Sequence, residues 1–254
     1  MTQLTDLPGE SQTVPNAPIG SAEETLAQIA CEVSGCTNCA LHKTRVKSVP
    51  GEGPANAEIM LIGEGPGANE NMRGRPFIGQ AGKFLDELLK QAGLKRGDVW
   101  ICNVVKCRPP DNRDPLPDEL AACDLYLERQ IAAINPKIII TLGRFSMGKF
   151  AQRPGVKISQ VHGQMYRKGE RFVIPMFHPA AALHQAALKP AILADFSRLP
   201  QLLDVARQQA GKLPSRDHSA DAKAQDPAPA PAAPLIVTEP PRLPEENLKQ
   251  LKLI

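Results

Sequence analysis

The sequence has no run of about 18 apolar residues, and its net charge is small. Without such a run, no helix is expected to cross a bilayer. The first 20 residues, MTQLTDLPGESQTVPNAPIG, lack the basic-then-apolar plan of a signal peptide, so we expect a cytoplasmic protein with no membrane contact. A net charge of +3 over 254 residues does not by itself indicate a nucleic-acid partner, although it is compatible with a local basic face.

The two ends of the chain lack the composition of a packed core. The segment beyond Arg207 holds eight of the 25 prolines and no Cys, Phe, Tyr or Trp, so it buries too little apolar surface to offset its ordering entropy. We therefore expect a flexible leader over residues 1–20, one domain over 21–206 and a disordered Pro/Ala-rich tail over 207–254. The last residues, PEENLKQLKLI, either fray or form a short amphipathic helix that binds a protein partner.

Three short apolar runs in the middle of the chain predict buried parallel strands. They are rich in Ile and Val and apolar on both faces: AEIMLIG (57–63), VWICNVV (99–105) and KIIITLG (137–143). Further along, QMYRKGERFVIPMF predicts a β-hairpin with Lys168-Gly169 at its turn, whose second arm is a fourth core strand.

Helical patterns separate these strands. One helix ends at Gly93, a second stops before Pro136, and a last helical region breaks at Pro190. The alternation of strands and helices predicts an α/β sheet covered on both faces. Ligands bind such sheets at the carboxyl ends of the strands, and three polar stretches fall there: GEGPGANENMRGRPFIG, NVVKCRPPDNR and FHPAA. We therefore expect a functional site at this edge.

The cysteines add a further constraint. Cys36 and Cys39 form a C-x2-C clip, while Cys107 and Cys123 follow a strand and lie in a helix, respectively. A clip and two distant thiols can make one four-thiolate site for zinc or an iron–sulfur cluster. Disulfides, which a cytosolic chain disfavours, and ordinary buried thiols are the alternatives. Two other cysteines are predicted to lie in the core: Cys31 and Cys102.

Six separated blocks resemble, in their order, the iron–sulfur uracil-DNA glycosylases, usually called family 4. The blocks are CTNCALHKTR, GEGPG, GRPFIGQAGKFLDELL, NVVKCRPPDNRDPLPDEL…C, IITLG and HPAA, and they cover roughly residues 30–205. The resemblance implies a three-layer α/β/α sandwich with a four-stranded, mainly parallel central sheet. It implies hydrolysis of the N-glycosidic bond of uracil in DNA, which leaves an abasic site. It also implies a [4Fe–4S] cluster on four cysteines: Cys36, Cys39, Cys107 and Cys123.

The resemblance also implies a base-reading pocket. A nucleotide flipped out of the duplex would stack on Phe77 and be read by Asn103, whose amide can accept from uracil N3–H and donate to O4. Cytosine reverses this pattern and leaves two buried groups unpaired, at about 1–3 kcal/mol each. Gly65 lets backbone amides approach the base, and Glu70 matches an acidic residue near C5, where it would crowd the methyl group of thymine.

Two residues are candidates for the chemical step. His178, in FHPAA, can direct an imidazole N–H at uracil O2 as negative charge develops on the leaving base. Glu64 occupies the place where many other uracil glycosylases have a water-activating Asp, and a structural glutamate is the alternative. The motif departs from the family at Asn71, where Asp is often found, so this position receives no role.

Contact with DNA is expected from positive charges and one apolar wedge. Lys106, Arg108 and Arg113 surround the KCRPPDNR loop and could contact phosphates, with solvated surface charge as the alternative. Leu183 could fill the space that the flipped base leaves, unless it is a core leucine of the next helix. The expected partner is uracil-containing DNA, bound by a monomer.

Three other functions are compatible with parts of the pattern. A superfamily member that forms a tight abasic-site adduct would carry a basic, His-containing cluster after LG, which RFSMGKFAQRPGVKISQVHG does not show. An iron–sulfur DNA-binding module without catalysis would keep the cysteines but would have no use for Phe77, Asn103 and His178 together. A zinc-stapled nucleotide hydrolase is disfavoured because the glycine loop lacks a Gly-Lys-Ser/Thr ending.

Overall fold

The computed structural model describes residues 20–152 and 155–210. The predicted leader up to residue 19 and the predicted tail beyond residue 210 lie outside the described residues, so the domain boundaries stay predictions. The described helices are α1 (Ala22–Gly35), α2 (Ala68–Arg73), α3 (Gln80–Gln91), α4 (Pro117–Ile134), α5 (Arg144–Phe150), α6 (Ile158–Val161), α7 (Pro179–His184) and α8 (Lys189–Ala210). The described 3-10 turns are Ala40–Lys43, Arg96–Asp98, Pro110–Asn112 and Ala186–Leu188.

One sheet forms the centre of the fold. Its strands are β1 (Ile59–Gly63), β2 (Trp100–Asn103), β3 (Ile138–Leu142), β4 (Tyr166–Lys168) and β5 (Arg171–Met176). The strand order is β2-β1-β3-β5-β4, and every pair is parallel except the antiparallel pair of β4 and β5. The α/β class and the mainly parallel sheet are confirmed.

The sheet has five strands, whereas the sequence predicts four. The extra strand is β4, the first arm of the predicted hairpin, which pairs with β5 at the edge of the sheet. It is short and only partly buried, so it lacks the apolar run that marks a core strand. The turn consists of Gly169 and Glu170, one residue later than predicted, and Gly169 has the positive φ of +61° that such a turn favours.

Side chains along each core strand alternate between two hydrophobic layers. In β1, Ile59 and Leu61 face one layer, while Met60 and Ile62 face the other. Helices α3, α7 and α8 cover the first face, and α1 and α4 cover the second. This arrangement confirms the α/β/α sandwich and explains why the strands read as unbroken apolar runs.

Local signals set the helix ends. Ser21 and Glu24 form a capping box at the start of α1. Helix α4 stops before Pro136, as predicted, because Asn135 adopts a left-handed conformation at its end. The predicted break in the last helical region lies between α7 and α8, just before Lys189.

The strand order creates a crevice at the carboxyl ends of β1 and β3. The chain passes from β1 to β2 on one side and later to β3 on the other, and such a reversal is where open α/β sheets bind ligands. Gly63 and Asn103 end β1 and β2, while His178 follows β5. We call this edge, formed by the carboxyl ends of the parallel strands, the rim. Within the described residues, no helix combines the length and the apolar character needed to span a membrane.

Candidate active site

Asn103 and Gly63 lie side by side at the rim. They form the last paired positions of β2 and β1. Asn103 is 1% exposed, and its Oδ1 has no hydrogen-bond partner among the described residues. Since an unsatisfied buried acceptor costs about 1–3 kcal/mol, this oxygen is available to a donor that enters at the rim.

Phe77 closes the same corner of the rim. A β-carbon on Gly63 would lie 2.4 Å from Asn103 Oδ1 and 2.5 Å from Phe77 Cζ, so the amide and the ring meet over a bare backbone. The Phe77 ring also stacks against the imidazole of His178, with 5.5 Å between the ring centroids and 29° between the planes. The structure therefore brings Phe77, Asn103 and His178 together.

The loop that carries Phe77 is held in an uncommon conformation. Phe77 has a φ of +48°, in the left-handed region that is costly for a bulky side chain. Arg96 Nη1 donates to the Phe77 carbonyl at 3.0 Å, and Glu70 Oε1 accepts from the N–H groups of Ile78 and Gly79 at 2.8 Å each. Arg96 Nη2 also donates to the Pro76 carbonyl at 2.5 Å, so the peptide groups on both sides of Phe77 are held and the ring is positioned before a ligand binds.

Glu70 acts as the anchor of this loop in the structure. It is buried, and its carboxylate accepts both of these main-chain hydrogen bonds. Its predicted contact with the C5 side of the base stays a prediction. Asn71, which received no predicted role, accepts a hydrogen bond from the Val46 N–H at 2.9 Å. This bond connects α2 to the segment that follows the C-x2-C clip.

His178 caps helix α7, and this contact decides which ring nitrogen carries the proton. Its Nδ1 accepts a hydrogen bond from the Ala180 N–H at 3.1 Å. The proton of the neutral ring must then lie on Nε2, which becomes the donor. Burial lowers the pKa of His178 to about 4, against the opposing effect of Glu70. The ring is therefore neutral near pH 7.

Glu64 follows β1 directly and lies near a pair of opposite charges. Asp114 and Arg144 form this pair across the rim. Burial raises the pKa of Glu64 to about 7, and Asp114 adds to this rise while Arg144 opposes it. A carboxyl group with such a pKa can take up or release a proton near neutral pH, which suits the predicted catalytic role.

Gly65 and Leu183 border the same region. A β-carbon on Gly65 would lie 2.9 Å from Val105 Cγ2, so this glycine lets the loop pack closely on the segment after β2, and its approach to a base stays a prediction. Leu183, on the helix that His178 caps, is 49% exposed. This exposure excludes the core-leucine alternative and leaves the wedge as the prediction.

Lys106 lies in the interior. Its side chain is fully buried, and its Nζ donates to the main-chain carbonyl of Asn103 at 2.8 Å and to Gln130 Oε1 at 2.7 Å. A buried ammonium cannot reach a phosphate, so the prediction that Lys106 contacts DNA is wrong. The sequence shows that residue 106 carries a positive charge. The direction of its side chain depends on how α4 packs against the end of β2, which the sequence does not show.

The two predicted DNA-binding arginines make contacts within the protein. Both terminal nitrogens of Arg113 bind the fully buried carboxylate of Glu119, at 2.9 and 2.7 Å, which secures the start of α4. Arg108 Nε donates to Asn112 Oδ1 at 2.9 Å. Both arginines are partly exposed, and their contact with phosphate stays a prediction.

The four predicted cluster ligands line one cleft. The cysteines of this narrow cleft are Cys36, Cys39, Cys107 and Cys123. Cys102 is buried, as predicted, but Cys31 is exposed. The core prediction for Cys31 is therefore wrong, because this residue lies on the outer side of α1.

Hydrogen-bond donors point at two of these sulfurs. The Arg45 guanidinium donates to Cys107 Sγ, and the Lys106 main-chain N–H donates to Cys123 Sγ, both at 3.3 Å. Burial raises the pKa of Cys123 to about 11, and a bound metal would displace that proton. Among residues 20–152 and 155–210, no group of three or more His, Cys, Asp or Glu side chains is arranged to hold a metal ion. Four thiols around a shared cleft fit ligands that bind the separate irons of a cluster.

Two residues of the site were missed in the sequence. Arg96 holds the Phe77 loop from 19 positions away, and no local pattern indicates that contact. Arg144 follows β3 beyond Gly143, so the same strand-end rule that singled out Asn103 and His178 could have found it.

Comparison with known proteins agrees with this geometry. The family model described as Uracil DNA glycosylase superfamily matches residues 50–197. A type-4 uracil-DNA glycosylase of Sulfurisphaera tokodaii is 46% identical over 187 residues, which cover 70% of this chain and 85% of that protein. The chain belongs to the type-4 uracil-DNA glycosylases of this superfamily.

Two further relatives show the extent of the similarity. A type-4 uracil-DNA glycosylase of Archaeoglobus fulgidus is 44% identical over 186 residues, which cover 70% of this chain and 94% of that protein. A type-5 uracil-DNA glycosylase of Thermus thermophilus is 34% identical over 144 residues, which cover 51% of this chain and 64% of that protein. Membership of the type-4 family means that the chain is a DNA-repair glycosylase, and the nucleotide-hydrolase and non-catalytic interpretations are set aside.

Proposed function

We propose that this glycosylase flips uracil out of DNA and hydrolyses its N-glycosidic bond, leaving an abasic site. The observation that carries the proposal is the meeting of Phe77, Asn103 and His178 at one corner of the rim. These side chains supply a stacking face, an amide and a neutral imidazole, which a flat base with polar edges requires.

Uracil is read by the amide of Asn103. The Oδ1 atom lacks a donor among the described residues, and uracil N3–H supplies one, while the amide N–H donates to O4. Cytosine has an acceptor at N3 and a donor at C4, so it leaves both amide groups unpaired. At about 1–3 kcal/mol for each group, the contact disfavours cytosine strongly.

Departure of the base is assisted by His178. Cleavage of the bond leaves negative charge on uracil O2, and the Nε2–H of the neutral ring donates to that oxygen. Because the bond from Ala180 N–H to Nδ1 settles the tautomer before substrate binds, no proton has to move to prepare the donor. Donors placed in this way stabilise the transition state more than the ground state.

Glu64 acts on the sugar side. The departing base leaves positive character on the sugar, and a carboxylate stabilises that charge or activates the attacking water. With its pKa raised to about 7, a substantial fraction of Glu64 is ionised at neutral pH. The nearby pair of Asp114 and Arg144 sets the local field in which this carboxylate works.

The cleft lined by cysteines holds a [4Fe–4S] cluster in this proposal. Its ligands are Cys36, Cys39, Cys107 and Cys123, with Arg45 and the Lys106 main chain as hydrogen-bond donors to sulfur. When bound, the cluster would link three segments covalently: the C-x2-C clip, the loop that follows β2, and α4. The residues at the rim carry out base removal.

The DNA duplex lies across the rim. Leu183, exposed on α7, enters the stack beside the flipped nucleotide, and Arg108 and Arg113 neutralise phosphates. The chain works as a monomer in this proposal. A protein partner for the C-terminal tail concerns residues outside the described range.

A glycosylase assay tests the function. The protein is incubated with an end-labelled duplex that contains one uracil, and alkali is added to break the strand at abasic sites. We expect cleavage by the native protein and a loss of roughly 100- to 1,000-fold in kcat for His178→Ala. His184→Ala, an exposed histidine on the same helix, is the matched control. No strand break with the native protein, or equal rates for the two variants, would count against the proposal.

Iron and sulfide analysis tests the cluster. The native protein is expected to carry about four irons and four sulfides per chain, and Cys107→Ala should lose them. Cys31→Ala, at the exposed cysteine, and Cys102→Ala, at the other buried one, are the controls that should retain them. Zinc without iron in protein purified without added metal would contradict the assignment.

A further inference from the structure

Lys106 is a buried, positively charged residue that lies between Asn103 at the rim and the cleft lined by cysteines. Its side chain is fully buried, although lysine is almost never found in that state without a partner. It stands three positions after the base-reading Asn103 and immediately before the predicted cluster ligand Cys107. The catalytic steps proposed above do not use it.

The ammonium is held by two neutral acceptors. Its Nζ donates to the Asn103 carbonyl at 2.8 Å and to Gln130 Oε1 at 2.7 Å, and it forms no ion pair with any carboxylate of the described residues. Lys106 also lines the cleft that holds the four predicted cluster ligands. A thiolate-ligated cluster would supply the negative charge that its surroundings lack.

The main chain of Lys106 is tied down as well. Its N–H donates to Cys123 Sγ at 3.3 Å, and its carbonyl accepts from Val49 N–H at 2.7 Å. Gln130 continues the network, because its Nε2 donates to the Pro50 carbonyl at 2.8 Å. Lys106 therefore links the cysteine cleft, α4 and the segment at residues 49–50 to the end of β2.

The link from Lys106 reaches Asn103 through its main chain. The side-chain Oδ1 of Asn103 has no hydrogen-bond partner among the described residues, so no bond to that oxygen holds the amide in place. The peptide plane that follows Asn103 is held at both of its polar groups, because Lys106 Nζ donates to its carbonyl at 2.8 Å and the Val104 N–H donates to the Gly63 carbonyl at 3.1 Å. A shift of that plane would turn the amide away from the base.

We propose that Lys106 is a positioning residue that holds the Asn103 amide in register with uracil and connects that amide to the cysteine cleft. This inference rests on the proposed function. Removal of the Lys106 ammonium should weaken recognition of uracil through Asn103, while binding of undamaged DNA and ligation of the cluster persist.

A double-mutant cycle tests the inference. The variants are Lys106→Met, which keeps the length of the side chain and the main-chain N–H, Asn103→Ala, and the combination of both. Binding is measured on duplexes with a non-cleavable 2′-fluoro-2′-deoxyuridine and on undamaged duplexes, with iron and sulfide content as a second readout. We expect Lys106→Met to weaken binding of the fluorouridine duplex roughly tenfold, with unchanged binding of undamaged DNA.

The cycle separates positioning from general destabilisation. If Lys106 acts through Asn103, the Lys106→Met change has less than about a twofold effect in the Asn103→Ala background, because coupled residues are not additive. A full tenfold effect in that background, or native binding by Lys106→Met, overturns the inference. Failure of the native protein to prefer fluorouridine over undamaged DNA would instead contradict the proposed function.

A second variant covers the case in which Lys106→Met folds poorly. Lys106→Met combined with Gln130→Met removes the buried amide oxygen that Lys106→Met alone leaves without a donor, while the Pro50 carbonyl loses its donor from Gln130. We expect this protein to recover part of the thermal stability and the iron content but not fluorouridine binding. Recovery of binding together with stability would show that Lys106 is only structural and would overturn the inference.

Discussion

The ring of Phe77 stacks on the imidazole of His178 at a centroid distance of 5.5 Å. One residue lies in the loop after β1 and the other follows β5, 101 positions further along the chain. Because each is also held independently, Phe77 by Arg96 and His178 by its bond from Ala180 N–H, the contact joins two rigid supports. The groups that we propose for base stacking and for stabilisation of the leaving base therefore form one fixed unit.

Gly63→Ala should block the base site. The new methyl group would lie 2.4 Å from Asn103 Oδ1 and 2.5 Å from Phe77 Cζ, so both base contacts must shift. We expect kcat/KM on uracil DNA to fall by roughly 100-fold, and stability to fall by about 1–3 kcal/mol through overpacking. The matched control is Gly148→Ala on α5, where a β-carbon meets nothing within 4 Å. Native activity for Gly63→Ala would show that the base does not bind at this corner.

Asn103→Asp should relax the choice of base. A carboxylate still accepts from N3–H or from the cytosine amino group, but it repels uracil O4, where the amide donates. We expect kcat/KM for uracil to fall by roughly 100-fold or more and the preference for uracil over cytosine to shrink. The ratio is measured on matched duplexes, with the exposed Asn112→Asp as control. An unchanged preference would remove Asn103 from base reading.

The pH dependence of the rate should report Glu64. Its pKa is about 7, and the carboxylate is the form that stabilises positive charge, so the single-turnover rate should rise with pH around that value. His178, with a pKa of about 4, stays neutral above about pH 5 and adds no further change. In Glu64→Gln the rise should disappear. A rise that persists in this variant would assign the titration to another group.

Glu64 should also lower stability at alkaline pH. Its pKa in the folded protein lies above the ordinary value of 4.5, so the folded state binds the proton more tightly and loses stability as pH rises through about 7. At pH 8 we expect Glu64→Gln to be more stable than the native protein by about 1–2 kcal/mol, a figure reduced for partial solvent exposure.

Thermal unfolding at pH 4 and pH 8 measures this effect. Near pH 4 both side chains are uncharged, so the two proteins should melt alike, and the difference should appear only at the higher pH. Glu87→Gln, at an exposed position of α3, serves as control and should show no such gain. A Glu64→Gln protein that is less stable at pH 8 would indicate that the carboxylate is paired.

Leu183→Ala should affect duplex DNA more than single strands. Its exposed side chain can replace the stacking that a flipped base loses, and a single strand has less stacking to replace. We expect roughly a tenfold lower rate on duplex uracil and little change on single-stranded uracil. Val205→Ala, also exposed but on α8, is the control. Equal losses on both substrates would argue against a wedge.

Much of this architecture follows from short patterns in the sequence. The apolar runs predicted β1, β2 and β3. The rule that ligands bind at the carboxyl ends of strands singled out Asn103 and His178. Four cysteines were assigned to one site, and they line one cleft. By contrast, β4 was not counted because an exposed three-residue edge strand has almost no apolar signal.

The sequence by itself determined the core strands and that Asn103 and His178 reach the rim, because the hydrophobic pattern and the strand ends are local properties of the chain. Only the tertiary structure decided that Lys106 points inward to Asn103, that Arg96 holds the Phe77 loop and that His178 carries its proton on Nε2. Each of these depends on the direction of a side chain among neighbours that packing supplies, and neither charge nor spacing along the chain encodes that direction.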